Sequence, residues 1–399
     1  MGRSLDPAVI DLKPNARTGA GGVGHSSVSD ESRAAREAVE AALRGVRPRA
    51  GDLVLLFASV RYDLERLHDA VAALVAPAEI VGASTAGAFA DAVSVERGCV
   101  VAFLPGDGLS FGVSHASFDP EDPAAAARAA ADAARLRAGE RRKHSTLLLF
   151  TDALGGKARE FARGAYDVTS ALVPLVGAVA ADDFRLRDSW TFGEGVARMQ
   201  SLVAVWIDSD GPIGVGFGHG FRPVGCAHVV TRTDGTLVVE LDHRPALEVY
   251  LGELGGRLPE SVAPVPGHVP SHPLGALTPS GAHDLHPVGA ADGGLRSRVE
   301  IAEGTIVEVM ATDPRGLVAG ARRAAADAVS QLHAPARLVL AFGSVDRVAL
   351  LGGSDAAQVA GLVEGAGGAP LAGFNGYGQY ARRIGPGGLQ MTAVSVLAV

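Results

Sequence analysis

Small polar residues and glycines lie just after three apolar segments that have the length and composition of buried strands. They are Ser84, Thr85, Gly87, Asp182, Asp183, Asn375, Gly376, Tyr377 and Gln379. In layered α/β proteins, ligands bind beyond the carboxyl ends of strands, where turns present backbone amides and short polar side chains. The three turns are therefore predicted to converge on one ligand-binding pocket. In the alternative interpretation, the glycines serve only to reach positive φ and the polar groups only stabilise their own turns.

A second group of candidates lies in the segment that starts at Ser344 and ends at Arg347, and both of these residues are included in the predicted site. Arg347 is the expected anchor for an acidic group of the ligand, because a guanidinium can donate two parallel hydrogen bonds to a carboxylate. The alternative is an ion pair within the protein, for instance with Asp346 or Asp355. The corresponding ends of the other two leading strands carry further candidates, which are Ser59, Thr151 and Asp152.

These residues do not form a recognisable catalytic motif. A nucleophilic Ser84 or Ser344 would require a base, and neither lies in a G-x-S-x-G or S-x-x-K motif. Asp182 and Asp183 could be imagined as a carboxylate pair, but adjacent residues of a strand or turn generally point apart. No catalytic residue is therefore predicted, and an enzyme that acts on a small acid is kept as an alternative.

Histidines cluster in the proline-rich segment 257–297, which has no clear period and is expected to carry long loops. His283 and His286 could contact one ion, but neither a cysteine nor a suitably spaced third ligand accompanies them, so no metal site is predicted. No cofactor is expected either. Haem would require only one histidine beside an apolar cavity. The candidates for that role are His115, His219, His228 and His243.

The composition argues against several classes of partner. The chain has 399 residues, of which 47% are hydrophobic and 20% are charged, and its net charge is −8. This charge, without a cluster of Lys or Arg to compensate it locally, disfavours nucleic acid as a partner. No apolar run reaches the roughly 18 residues of a membrane helix, so no membrane insertion is expected. A secretory signal is also missing from the N-terminal segment, and the chain is expected to be cytoplasmic.

The chain contains an internal repeat in which a strand, a helix and two further strands follow one another. The three copies begin with the apolar segments 52–59, 145–152 and 336–344. Short apolar strands separated by helices predict a layered α/β architecture built from these strand-helix-strand-strand repeats. An alignment without gaps places glycines at one shared position and aromatic residues at another. These residues are Gly82, Gly177 and Gly373, and Phe89, Phe184 and Tyr380.

Several segments also carry a family resemblance. They include VGASTAGAF, VGAVAADDFRLRDSWTF, AEGTIVEVMATDP and LAGFNGYGQYAR, with PALEVY and AEGTIVEVMATDP as the most specific parts. Together they resemble the FIST family over roughly residues 45–399. The resemblance implies two FIST-type halves. The expected organisation is a disordered tail over residues 1–28, a FIST N-like domain over residues 29–234 and a FIST C-like domain over residues 235–399.

The resemblance implies a bacterial sensory protein that reversibly binds a small molecule, such as an amino acid or a similar metabolite. Because the tail and the two halves use the whole chain, its signal is expected to act on a signalling protein in trans. Some relatives are haem-containing nitric oxide sensors, so haem binding and gas sensing are an alternative. The chain has Ala88 and Gln379 where many relatives have acidic residues, and Phe342, Gly343 and Ser344 where many have F-S-C. Ligand preferences and covalent chemistry that depend on those groups are not expected to carry over.

Overall fold

The computed structural model of the protein describes residues 19–139, 141–256, 271–278, 282–385 and 388–399. In these residues, 8 helices and 26 strands form four sheets, which confirms the predicted α/β class. No helix in this part of the chain is long and apolar enough to cross a membrane.

The first repeat begins within the segment that was predicted to be a disordered tail. Its elements are β1 (Gly22–Ser26), α1 (Glu31–Leu43), β2 (Leu53–Ser59), α2 (Leu64–Val75), β3 (Glu79–Thr85), β4 (Ala88–Ala90), β5 (Val93–Val95) and β6 (Cys99–Leu104). The prediction was wrong for β1, which pairs along its whole length with β6. Residues 1–18 of the predicted tail lie outside the described residues. Asp30 and Asp63 begin the two helices, because each side chain accepts a hydrogen bond from the amide three residues later.

The second repeat has the same order of elements as the first. They are β7 (Leu109–Ser117), α3 (Pro123–Arg137), β8 (His144–Thr151), α4 (Ala158–Thr169), β9 (Leu175–Val179), β10 (Trp190–Gly193), β11 (Val196–Met199) and β12 (Ser201–Ser209). Asp122 begins α3 by accepting from the amide of Ala125 at 3.0 Å, and Pro123 occupies the first helical turn, where its missing N–H costs nothing.

The third repeat is interrupted after its first strand, β13 (Gly214–Gly218), by an inserted domain. The inserted domain contains β14 (Arg222–Asp234), β15 (Leu237–Leu241), β16 (Arg244–Pro245), α5 (Ala246–Glu253), β17 (Leu274–Leu277), β18 (His283–His286), β19 (Val288–Ala291), β20 (Gly294–Ser297) and β21 (Ile306–Ala311). These eight strands form one sheet. The expectation of long loops over residues 257–297 was therefore wrong for β17–β20, while residues 257–270 and 279–281 lie outside the described residues. These strands have only four residues each, and pairing with distant strands defines them more than local sequence does.

The third repeat then continues to the end of the chain. Its remaining elements are α6 (Pro314–Ser330), β22 (Val339–Ser344), α7 (Val345–Leu350), α8 (Ala356–Ala366), β23 (Leu371–Gly376), β24 (Gly378–Arg382), β25 (Leu389–Gln390) and β26 (Val394–Ala398). The predicted division between residues 234 and 235 falls inside the paired hairpin of β14 and β15, so it does not separate two structural units.

The three repeats interlock by exchanging one hairpin each. The sheet orders are β1-β6-β2-β3-β10-β11, β7-β12-β8-β9-β24-β25 and β13-β26-β22-β23-β4-β5. Each repeat thus completes the sheet of a neighbour: the first donates to the third, the second to the first, and the third to the second. This cyclic exchange creates three seams between repeats, at β3–β10, β9–β24 and β23–β4.

The inner faces of the three sheets share one core. Corresponding positions on β2, β8 and β22 carry Phe57, Phe150 and Phe342. The ring centroids of these residues lie 5.3 to 6.0 Å apart in edge-to-face pairs. Phe374 contacts all three rings at 5.0 to 5.9 Å. The outer faces are covered by helices, with α1 and α2, α3 and α4, and α6 and α8 serving one sheet each. The strands are therefore buried on both faces, which explains their continuous apolar sequences.

Gly82, Gly177 and Gly373 occupy corresponding positions in the three sheets, each opposite a residue of a parallel neighbour strand. A Cβ atom at Gly82 or Gly177 would lie 1.9 Å from the carbonyl oxygen of the parallel neighbour strand, and one at Gly373 would lie 1.7 Å from it. Each glycine also faces an aromatic residue of the exchanged hairpin. The pairs are Gly82 with Phe192, Gly177 with Tyr380 and Gly373 with Phe89.

The alignment of Phe184 with the other two aromatic residues was wrong. Phe192 follows Gly177 by 15 positions, whereas Phe89 follows Gly82 by 7, so the second repeat has eight additional residues before the aromatic position. Phe184 lies in the resulting longer turn and is 58% exposed. An alignment without gaps cannot reveal such an insertion.

Candidate functional site

Residues from all three predicted turns line one pocket. It lies at the β23–β4 seam, beyond the carboxyl ends of β3 and β23, and has a volume of about 190 Å³. Gly87 comes from the first turn, Asp183 from the second and Asn375 from the third. We call this cavity the seam pocket. Its lining comprises Ala86, Gly87, Glu96, Arg97, Asp183, Phe184, Val348, Gly353, Ser354, Asp355 and Asn375.

Backbone hydrogen bonds fix the first turn against the third repeat. The amide of Ala86 donates to the carbonyl of Asn375 at 3.0 Å, and the amide of Asn375 donates to the carbonyl of Gly87 at 2.8 Å. Gly87 has a φ of +95°, which favours glycine, and a Cβ atom there would lie 3.8 Å from Asn375 Nδ2. This wall of the seam pocket is therefore held by main-chain contacts and offers little side-chain chemistry of its own.

Asn375 and Asp355 form the most buried polar part of the pocket wall. Asn375 Nδ2 donates to Asp355 Oδ2 at 2.6 Å, and Gln358 Nε2 lies 3.4 Å from Asn375 Oδ1. Asp355 precedes α8 but makes no capping hydrogen bond, because its carboxylate turns towards Asn375 instead. This carboxylate is 7% exposed and borders the cavity.

Asp182 and Asp183 point apart and have different surroundings. Asp182 is buried and accepts hydrogen bonds from the amides of Leu186, Arg187 and Asp188 at 2.7 to 3.0 Å, as well as from the hydroxyl of Tyr377. Burial raises the pKa of Asp182, but these hydrogen bonds outweigh it and hold the pKa below its ordinary value. Asp182 thus shapes the longer turn and does not line the pocket.

Asp183 faces the seam pocket. Its Oδ2 accepts a hydrogen bond from Ser59 Oγ at 2.6 Å, and burial raises its pKa although Ser59 and the guanidinium groups of Arg185 and Arg97 act in the opposite direction. Asp183 and the following Phe184 have φ values of +53° and +64°, a left-handed conformation that is unfavourable for these residue types. Consecutive strained residues are typical of functional turns, where the surrounding structure maintains them.

Arg347 is fully buried and does not reach the pocket, so its predicted role as a ligand anchor is wrong. Its Nε donates to Gln358 Oε1 at 2.5 Å, while Nη1 and Nη2 donate to the carbonyls of His219 and Leu317 at 2.6 and 2.7 Å. Burial lowers the pKa of Arg347 to about 9, which leaves it protonated at neutral pH. The guanidinium joins three segments of the third repeat, and neither Asp346 nor Asp355 pairs with it among the described residues.

Ser344, also placed in the predicted site, begins α7 by accepting from the amide of Asp346 at 3.1 Å. Ser84 donates to the carbonyl of Ala181 at 2.6 Å and accepts from the amide of Trp190 at 2.8 Å. Gln379 Nε2 donates to the carbonyl of Gly343 at 3.0 Å. Eight residues of the predicted site do not line the pocket. They are Ser84, Thr85, Asp182, Ser344, Arg347, Gly376, Tyr377 and Gln379.

Two segments of the pocket were not predicted from the sequence. Glu96 and Arg97 come from the turn before β6, and Val348, Gly353 and Ser354 come from α7 and the turn that follows it. The successive glycines before Ser354 signal a turn, but nothing local indicates that this turn meets the first repeat. The contact depends on the hairpin exchange.

The histidines considered as haem ligands do not line the seam pocket. Both ring nitrogens of His115 and of His228 are within 3.0 Å of protein hydrogen-bond partners. His219 Nδ1 accepts from the amide of Phe221 at 2.9 Å, and His243 is exposed. Among the described residues, no hydrogen bond constrains His219 Nε2 or the ring of His243 in this way.

His283 and His286 do not converge on one point. They lie three positions apart on β18, so their side chains project from opposite faces of the strand. His283 Nε2 lies 2.5 Å from Glu308 Oε2, and burial lowers the pKa of His286 to about 4. Within the described ranges, no group of three or more His, Cys, Asp or Glu residues could hold a metal ion.

A local basic cluster does exist, contrary to the sequence analysis. Arg141, Arg142 and Lys143 line a second, open pocket next to Ser110. Arg142 Nη1 is 2.6 Å from Asp210 Oδ2, an ion pair that is largely exposed. This cluster lies between α3 and β8 in the chain.

Two domain models of one family match the chain. Residues 52–244 match the FIST N domain and residues 246–382 match the FIST C domain. A search of curated proteins gave no significant match. Among solved structures, cyanuric acid hydrolase from A. caulinodans is 11% identical, with a TM-score of 0.36 over 95% of this chain and 99% of that chain. The two domain matches cover most of the sequence, and the chain belongs to the FIST family, whose domains are generally small-ligand sensory domains.

Proposed function

We propose that this protein is a sensor that reversibly binds a small molecule, such as an amino acid or a similar metabolite, in the seam pocket. The proposal rests on the convergence of turns from three repeats on one cavity. Two residues that line it, Asp183 and Phe184, have a strained left-handed backbone conformation. A ligand that touches all three turns would change the contacts between repeats. A separate signalling protein would read that change in trans.

The size and lining of the seam pocket favour a small polar ligand. Its volume of about 190 Å³ is below the roughly 300–1,000 Å³ of pockets that hold drug-sized ligands. Haem exceeds this space, so gas sensing would require a different site and is the second candidate. The hydroxyl of Ser59 is hydrogen-bonded to Asp183 and completely buried, so a substrate in the pocket does not reach it.

The proposal is tested by ligand-dependent stabilisation of purified protein. Native mass spectrometry of protein from its own host identifies any retained molecule, and an absorbance spectrum of the same sample shows a Soret band if that molecule is haem. Amino acids and related metabolites are then compared by thermal shift. A ligand that binds only the folded state raises stability by about 2.7 kcal/mol at a hundredfold excess over Kd.

A pocket-filling variant locates the binding site. Ser354→Trp places a large ring at the exposed edge of the seam pocket and should abolish the shift. Ser330→Trp, at the exposed end of α6, is the matched control and should keep it. An unchanged ligand response in both variants would move binding away from this pocket, and steady product formation without saturable stabilisation would favour an enzyme.

A further inference from the structure

The charges around the seam pocket are unbalanced. Glu96, Asp183 and Asp355 contribute carboxylates, and Arg97 is the cation of the described lining. We infer that the ligand is an organic cation, an amine or guanidine with net positive charge, whose cationic nitrogen faces Asp183 and Asp355. The inference rests on the proposed function, because it names the chemical class that the same pocket would take.

Asp183 provides a carboxylate with unused hydrogen-bonding capacity. An ionised carboxylate can accept about four hydrogen bonds, whereas Ser59 supplies one to Asp183 within the described structure. Its half-buried position makes the charged form unfavourable unless a donor or cation compensates it. An ammonium or guanidinium in the pocket would supply both hydrogen bonds and opposite charge.

Asp355 has a similar deficit on the opposite side. It is 7% exposed, and the amide of Asn375 donates to one of its oxygens. That amide is neutral, and the N-terminus of α8, which Asp355 precedes, contributes only a partial positive charge. No Arg or Lys in the described ranges forms an ion pair with Asp355 or with Asp183. Arg185 and Arg97 lower the pKa of Asp183 only from a distance, and the buried Arg347 makes its hydrogen bonds to carbonyls and to Gln358.

Phe184 adds an aromatic ring to the same pocket. The side chain is 58% exposed although it is apolar, and its left-handed backbone keeps it next to Asp183 at the pocket wall. Cations are attracted to the faces of aromatic rings, and ammonium ligands are bound in this way. An anionic ligand would gain nothing from this ring and would meet three carboxylates.

The charge class is tested with three five-carbon probes of equal length. Cadaverine carries two positive charges, 5-aminopentanoate is a zwitterion, and glutarate carries two negative charges. Binding of each to the full chain is measured by calorimetry at constant ionic strength. Cadaverine is expected to bind most tightly, and preference for either of the other probes, or no binding of cadaverine at millimolar concentration, overturns the inference.

Charge-neutral variants assign the effect to the pocket. Asp183→Asn and Asp355→Asn should each weaken cadaverine binding roughly tenfold or more, because each replaces a carboxylate partner of the ammonium group by a neutral amide. Asp188→Asn is the matched control, since its exposed side chain belongs to the same turn but does not line the pocket. Circular dichroism verifies folding of each variant, and equal losses in all three variants would contradict direct contact.

Arg97→Gln gives an independent test with the opposite sign. It removes the like charge from the pocket, so cadaverine affinity should rise by severalfold. A fall in cadaverine affinity overturns the inference. If an acidic metabolite from the thermal-shift panel binds and loses its affinity in this variant, the pocket is a sensor site for anions, so the proposed function stands and the inference fails. If Ser354→Trp leaves every ligand response intact, the proposed function itself has failed.

Discussion

The β3–β10 seam and the β23–β4 seam share one scaffold but differ at the pocket. Two residues after the repeat glycine, the first has Ser84 and the second has Asn375. The hydroxyl of Ser84 donates a hydrogen bond to the carbonyl of Ala181 and accepts one from the amide of Trp190, so the longer turn packs over it. Asn375 instead reaches across to Asp355 and leaves a cavity beside it. Two equivalent strand positions therefore differ in their surroundings: the turn packed against Ser84 fills the space beside it, whereas a cavity remains beside Asn375.

The longer turn of the second repeat has two roles in this comparison. Its last residues close the β3–β10 seam, and its first residues, Asp183 and Phe184, extend into the pocket of the β23–β4 seam. The eight additional residues thus make the threefold arrangement asymmetric. The contributions of all three repeats to the seam pocket follow from that asymmetry, and mutations can separate the shared scaffold from the site.

The largest effect is expected for the repeat glycines, which should be equally essential at both seams. Gly82→Ala and Gly373→Ala would each place a Cβ atom within 1.9 Å of a carbonyl oxygen of the parallel strand. Each substitution should lower the free energy of unfolding by at least about 4 kcal/mol, measured by denaturant unfolding or, if severe, as loss of soluble protein. Gly235→Ala, in an exposed turn with no neighbour within 4 Å, is a milder control. A tolerated Gly373→Ala would contradict the equivalence of the seams.

Arg347 should prove essential for stability and not for ligand contact. Arg347→Met leaves the carbonyls of His219 and Leu317 and the side chain of Gln358 without their buried donor. The free energy of unfolding should fall by about 3 kcal/mol, because each buried unsatisfied group costs about 1–3 kcal/mol and the site can partly relax. Urea unfolding measures the loss. Unchanged stability together with lost ligand binding would restore Arg347 as a ligand anchor.

The error over Arg347 shows what the sequence could not supply. The position of Arg347 after a strand end was predicted correctly. Its burial was not, because it depends on His219, which precedes the inserted domain in the chain, and on Leu317, which follows it. The three repeats and their shared glycine were predictable from local signals. These signals are the apolar pattern of the strands and a glycine at the position where the neighbouring strand leaves no room for a side chain. Convergence of the turns was also predictable, since equivalent strand ends lie at the same edge.

The hairpin exchange and the longer turn were not predictable from local pattern. Strand pairing such as Phe192 with Gly82 joins residues more than 100 positions apart, and nothing in either segment specifies its partner. The additional residues in the second repeat then displaced Phe184 from the aromatic position. The pocket residues Glu96 and Ser354 were missed for the same reason, because each reaches the pocket through an exchanged or neighbouring repeat.

Tyr377 links the longer turn to the third repeat, and its removal should have a moderate effect. Tyr377→Phe deletes the hydroxyl that donates to Asp182 and should lower stability by about 1–2 kcal/mol at neutral pH. The pKa of Asp182 is lowered in the folded state, so its contribution is present above the ordinary carboxyl pKa near 4 and is lost as the pH falls through the folded value. The variant should therefore lose less stability than the wild type on acidification.

A matched tyrosine separates this carboxylate effect from the loss of any buried hydroxyl. Tyr62→Phe removes a hydroxyl that donates to the carbonyl of Val28 at 2.6 Å, and a carbonyl does not titrate. Its stability deficit should stay constant between pH 7 and pH 3, whereas that of Tyr377→Phe should shrink. Parallel pH profiles for the two variants would exclude Asp182 as the titrating partner. Both profiles come from urea unfolding.

The smallest effect is expected in the inserted domain, which lies apart from both seams in the chain. His228 Nδ1 lies 2.7 Å from Asp242 Oδ2 and its Nε2 lies 3.0 Å from Glu253 Oε1, so both ring nitrogens must carry protons to satisfy these contacts. Burial lowers the pKa of His228, but the two carboxylates outweigh it and raise the pKa above its ordinary value. A raised folded-state pKa stabilises the protein below the unfolded value near 6.5, and this stabilisation disappears as the pH rises through the folded value.

Raising the pH from 6 to 9 should therefore weaken protection of amides in β14 and α5 by less than about 1 kcal/mol, since Asp242 is 44% exposed and solvent screens the pair. Hydrogen exchange at matched chemical rates measures this locally, and His228→Gln should remove the pH dependence in these two elements. Amides of β3 and β23 serve as the internal reference. If their protection changes as much as that of β14, the titration acts on the whole fold, and the inserted domain is not an independently responding unit beside the three interlocked repeats.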